Sequence, residues 1–126
     1  MKSYDPNLNM RAEEWLAMDE SERILLVERY HRKNRDLAEN ARLHAIVHVV
    51  VENQLSSADG KAARIALERL MSEHVTRHAA IHAIGSVVAK QMFAILKDAE
   101  NKQVFDNAAY EFALENLEAW QWRAES

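Results

Sequence analysis

Apolar residues recur along most of this chain at the three- and four-residue spacing of amphipathic helices. Residues 10–18 read as a short helix carrying Trp15 and Leu16. Asp19 is placed to cap a second helix, with Glu22 three residues on as a variant capping box. Its apolar stripe is Ile24, Leu25, Val27 and Tyr30, and it ends in the cationic run 31–35, which suits a helix C-terminus. Asp36 with Glu39 repeats the capping pattern, predicting a third helix that runs to about Leu55. Residues 56–60, Ser-Ser-Ala-Asp-Gly, are the clearest loop. A helix over 61–73 follows, with Ala63, Ile65, Ala66, Leu67, Leu70 and Met71 on its apolar side. Thr76 is expected to cap a helix over 77–97. A polar joint at 98–102 leads to a last helix over 103–122. Residues 1–9, with Tyr4-Asp5-Pro6, read as an irregular lead-in. The pattern predicts an all-α fold, an antiparallel helical bundle of five to six helices in a single domain, 1–126.

Composition agrees with this reading. The 126 residues include only 2 Gly and 1 Pro, which favours helices over a sandwich or barrel. With 48% hydrophobic and 29% charged residues the chain is globular and long enough to bury one core. The absence of Cys excludes disulfide scaffolds, thiolate zinc sites and Cys nucleophiles. Sixteen Lys and Arg stand against 20 Asp and Glu, a net charge of −4, so no nucleic-acid partner is expected. No uninterrupted apolar run approaches the roughly 18 residues of a bilayer span, so no membrane partner is expected either. The polar start shows no secretory signal, and a bacterial, cytoplasmic protein is the expectation.

The histidines change the picture. Five of six fall in two stretches on separate predicted helices. Residues i and i+4 stack on one helical face, so His44, His48 and Glu52 form one column and His78 and His82 another. Random placement of six His would give roughly 0.3 His-x-x-x-His pairs; this chain has three, at His44/His48, His74/His78 and His78/His82. The last pair and the first each lie within a single predicted helix. The helix bearing His44 and His48 is apolar on nearly every other face, and imidazoles buried there require partners. Facing columns of His, His, Glu and His, His are how helical bundles build metal sites. The expected ligands are His44, His48, Glu52, His78 and His82, with Gln54 and Glu39 fixing imidazole tautomers. Such a set points first to zinc or iron, then to manganese or nickel. Two ions would need a further carboxylate, for which Glu39, Asp106, Glu111 and Glu115 are candidates. Gly85 and Ala89 continue the His78/His82 side and leave room for close helix approach or for an ion with its water. His31, at a cationic helix end, is expected on the surface, and His74 is expected not to be a ligand.

His48/Glu52 and His78/His82 resemble two helices of hemerythrin, the diiron oxygen carrier, as an analogy for site construction; its further His and Asp ligands have no counterpart here. The blocks Leu43-His44-x-x-x-His48-x-x-x-Glu52-x-Gln54-Leu55 and Arg77-His78-Ala79-Ala80-x-His82-Ala83 are similar to a family of small bacterial proteins of unknown function. So are Tyr4-Asp5-Pro6-Asn7 and the stretch 22–28. That resemblance implies an all-α fold and a site at these blocks, without naming an activity.

No glycine-rich phosphate loop and no His-Glu-x-x-His protease motif is present. Ser86, one turn from His82, lacks a nucleophile elbow. Arg64, Glu68 and Arg69 read as a solvated face. Phe105, Tyr110, Phe112, Trp120 and Trp122 near the C-terminus read as helix docking or as a homodimer surface. Two functions stay open: a metal-binding protein acting on or sensing an unknown small-molecule ligand, with or without catalysis, or a non-enzymatic dimerising or partner-docking module whose His/Glu column is a hydrogen-bond network.

Overall fold

The computed structural model describes residues 1, 3–34 and 40–126, with Ala99 as backbone only. Six α-helices are present among them: α1 (Ala12–Ala17), α2 (Glu20–Lys33), α3 (Ala41–Ser56), α4 (Lys61–Ser72), α5 (Arg77–Lys97) and α6 (Asn107–Glu115). Three short 3-10 turns lie at Ala99–Asn101, Ala119–Gln121 and Arg123–Glu125, and no strand occurs among the described residues. The fold is all-α.

The caps explain most boundaries. Thr76 Oγ1 accepts the Ala79 N–H at 3.2 Å and starts α5 as expected. Asp19 does occupy the N-cap of α2, but its side chain makes no capping hydrogen bond. Asp36 and Glu39 lie outside the described residues; the described part of the third helix begins at Ala41, with Asn40 Oδ1 accepting the Leu43 N–H at 3.1 Å. The last helix is shorter than the expected 103–122. Asp106 Oδ1 caps it by accepting from Ala109 N–H at 3.0 Å, and it stops at Asn116. Arg69 from α4 donates to the Leu114 and Leu117 carbonyls at 3.1 and 2.8 Å, holding the chain end that leaves α6. Arg69 is therefore a tie between elements and not part of a merely solvated face. Arg64 likewise donates to the Ser57 carbonyl and anchors the 56–60 loop.

The helix α3 is the centre of the packing, in contact with α1, α2, α4 and α5. Two apolar cores flank it. The larger joins α3, α4, α5 and α6 around Val51, Leu70, Ile81, Ile84, Val88 and Leu114. The smaller joins the lead-in, α1, α2 and α3 through Tyr4, Trp15, Leu26, Val27, Ala45 and Val49. Trp122 packs half-buried on the larger core, whereas Phe112 and Trp120 stay exposed. By length and mean hydropathy alone (21 residues, 1.5) α5 is long and apolar enough to cross a bilayer, although His78, His82, Ser86 and Lys90 interrupt its apolar run. Here 44% of its apolar window is buried in the fold.

Two close approaches require glycine. A Cβ at Gly85 of α5 would lie 2.9 Å from Val47 Cγ1, so Gly85 brings α5 tight against α3. A Cβ at Gly60 would lie 1.6 Å from the Gln54 carbonyl oxygen, a backbone atom that cannot yield. Gly60→Ala is expected to destabilise the chain by about 3 kcal/mol, as a lowered urea midpoint. A midpoint equal to wild type would show that the α3–α4 turn is loosely held.

Candidate metal centre

Five imidazoles meet at the seam between the two cores. His44 and His48 come from α3, His78 and His82 from α5, and His31 from the last turn of α2. Their neighbouring ring centroids lie 4.3 to 6.1 Å apart, with His48 in contact with the other four. One ring nitrogen from each of His31, His48, His78 and His82 converges so that all four lie within 4.8 Å of one another. His31 is the correction here. It was expected on the surface from its cationic neighbours, but it is 5% exposed, because the turn that carries it faces α3 and not solvent.

For three of the rings, His31, His48 and His82, the surroundings dictate that Nδ1 carries the proton. His31 Nδ1–H donates to the Val27 carbonyl at 2.8 Å, since a carbonyl only accepts, and Nε2 is left as the lone-pair nitrogen. Tyr4 O–H donates to Glu52 Oε2 at 2.6 Å, so the 3.1 Å contact between Tyr4 Oη and His48 Nδ1 requires Nδ1–H to donate to the phenol. His48 Nε2 is then also an acceptor. On the far side His82 Nδ1 meets Glu125 Oε1 at 2.9 Å, and a carboxylate again demands Nδ1–H. His48 Nε2 and His82 Nε2 face each other at 3.0 Å. Two lone pairs do not rest at that distance; a proton or a cation belongs between them. Burial, reinforced by His82, His31, His44 and His78, pushes the His48 pKa far below its ordinary value and keeps the ring neutral.

Glu52 was expected as a ligand and the structure gives it a different task. Arg77 donates to both carboxylate oxygens, Nη1 to Oε2 at 2.9 Å and Nη2 to Oε1 at 2.8 Å. The pair is buried, with Glu52 at 0% and Arg77 at 5% exposure. Burial lowers the Arg77 pKa, but the hydrogen bonds and charge of Glu52 outweigh it and raise the value overall. Arg77 Nη1 also donates to the Pro6 carbonyl at 3.0 Å, and Asn7 Oδ1 accepts the His78 N–H at 3.0 Å, docking the lead-in onto the start of α5. The chain Arg77–Glu52–Tyr4–His48 thus orients an imidazole through three partners. Tyr4 is held well above the ordinary phenol pKa by burial first and Glu52 second, so it stays a donor.

The remaining expected residues lie elsewhere. Gln54 follows Glu52 by two positions, about 200° around a helix, and so faces α6, where its Oε1 accepts from Tyr110 Oη–H. Burial pushes Tyr110 to about 12, partly offset by that bond. Glu39 lies outside the described residues. Asp106 is the α6 cap, and Glu111 and Glu115 are exposed on α6. His44 joins the cluster at its rim, 4.6 to 5.0 Å from His31, His48 and His82 by ring centroid, without entering the converging four. His74 is exposed with φ 71° at the end of α4. Ser86 Oγ donates to the Ala83 carbonyl at 2.7 Å. Reading the sequence missed His31, Tyr4, Arg77 and Glu125. Arg77 and Tyr4 stood inside the quoted blocks, and Arg77 adjoining His78 was the one available signal for a charge partner to Glu52.

No family model matches this chain, and neither a curated protein nor a solved structure does.

Proposed function

We propose that this protein binds one transition-metal ion through His31, His48, His78 and His82, between α2, α3 and α5. The observation that carries the reading is the anchoring of Nδ1. His31, His48 and His82 each donate Nδ1–H to an oxygen acceptor, the arrangement that orients metal-ligating imidazoles. A tetrahedral zinc site places its nitrogens roughly 3.3 Å apart; here all four lie within 4.8 Å of one another, so an ion would have to draw them together. An all-imidazole set suits zinc or iron, with nickel also acceptable. Manganese loses its rationale because Glu52 is engaged by Arg77. A coordination position left open would let the ion activate a water or take a small ligand.

The test is elemental mass spectrometry on untagged protein purified without nickel resin or chelator. Near one zinc or iron per chain is expected, and His78→Ala is expected to lose it. No metal as purified, and none retained after anaerobic incubation with Zn²⁺ or Fe²⁺, would overturn the reading. The 3.0 Å His48–His82 contact favours, in that event, a proton-bridged network that specifies helix pairing.

A further inference from the structure

A cavity of about 340 Å³ opens between α3 and α5, at the lower end of the range that holds small molecules. His44, His48 and His82 line it together with Leu43, Val47 and Ile81. Gly85 and Ala89 carry too little side chain to fill it. Its two other polar residues are already committed to backbone: Asn40 Oδ1 to the Leu43 N–H, and Ser86 Oγ–H to the Ala83 carbonyl. No Asp, Glu, Lys or Arg lines it among the described residues. Apart from the imidazoles, Asn40 and Ser86, the lining is aliphatic, and two of the imidazoles, His48 and His82, also belong to the converging four.

We propose that this cavity binds an amphipathic monocarboxylate, with its head against the metal ion and its hydrocarbon tail along the α3–α5 wall. The inference rests on the metal reading above. A divalent ion on four neutral imidazoles keeps its full charge. Glu52 offsets none of it because Arg77 cancels its charge, and Glu125, hydrogen-bonded to neutral His82 Nδ1–H, offsets one unit and leaves one positive charge for a monocarboxylate to meet. An anionic ligand entering from the cavity supplies the missing charge, since an uncompensated ion in a buried site is costly. Leu43, Val47 and Ile81 then remove the tail from water, and His44 stands where it faces the same space. A cationic head group on the same tail is rejected by the ion.

The experiment is calorimetry on the zinc-loaded full chain with butanoate, hexanoate, octanoate and octylamine. Affinity is expected to rise about fourfold per added methylene. Octanoate is expected to bind at least tenfold tighter than octylamine, and at least tenfold tighter than to zinc-free protein. Ala89→Phe, which fills the cavity, is expected to keep its zinc and lose octanoate at least tenfold. Octanoate binding no tighter than butanoate, or unchanged in a folded Ala89→Phe, overturns the proposal while zinc stoichiometry stands. If that variant does not fold, the chain-length series decides alone. A wild-type chain that takes up neither zinc nor, anaerobically, iron overturns the metal reading and the carboxylate site with it.

Discussion

Arg77→Met is expected to lower the unfolding free energy by about 3–5 kcal/mol, because it leaves the Glu52 carboxylate buried without its counter-charge. Glu52 has 0% exposure and receives both guanidinium nitrogens; Tyr4 O–H is the remaining donor. The loss also frees the Pro6 carbonyl and loosens the lead-in from α5. Urea unfolding of metal-free protein reads this directly, and a change under about 1 kcal/mol would show the pair to be dispensable. Adding Glu52→Leu to Arg77→Met is expected to restore most of the stability, since an apolar pair of similar volume often replaces a buried ion pair at no net cost. The double variant then isolates the orienting role. Without Glu52 the Tyr4 hydroxyl turns to donate to His48 Nδ1, and the ring proton moves to Nε2, the nitrogen facing His82. Metal affinity is expected to fall about 10–100-fold although the fold is recovered. Recovered stability with unchanged affinity would remove Glu52 and Tyr4 from the site.

His48→Leu separates the metal from the packing. His48 is the one ring in contact with the other four imidazoles, and its exposure is 2%. His48→Ala would remove the ligand and create a cavity together, at a cost of about 2–5 kcal/mol from the cavity alone. Leucine keeps most of the volume. Its metal-free stability is expected to stay within about 1.5 kcal/mol of wild type, while metal content drops to background and the rise in melting temperature on adding zinc disappears. Retained zinc in this variant would assign the ion to a different set of nitrogens. His74→Ala is the control: exposed in the turn after α4 and outside the cluster, it is expected to leave metal content unchanged.

Much of the architecture was legible along the chain because helices are local. The 3.6-residue period placed α2, α4 and α5 nearly to the residue, and Thr76 marked the start of α5 through the same oxygen that caps it. The last helix was overestimated because its ends depend on Asp106 as a local cap and on Arg69 reaching from another helix to the carbonyls at its end. An Arg that ties two helices reads in sequence like any solvated charge.

The two His columns follow from sequence alone. Spacing of four residues puts His44, His48 and Glu52 on one face of α3, and His78 and His82 on one face of α5, whatever the helices pack against. The identity of the partners does not follow. His31 looks like an ordinary member of a cationic stretch, Arg77 like a single charge at the start of a helix, and Tyr4 like part of an irregular lead-in. Only the packing of α2 on α3 buries the His31 turn beside His48, and only the docking of the lead-in on α5 sets Tyr4 between His48 and Glu52. A carboxylate four residues from a histidine is equally a ligand or an anchor in sequence. The tertiary structure decided the matter, because a buried carboxylate takes the nearest guanidinium, and Arg77 of α5 reaches Glu52 across the helix interface.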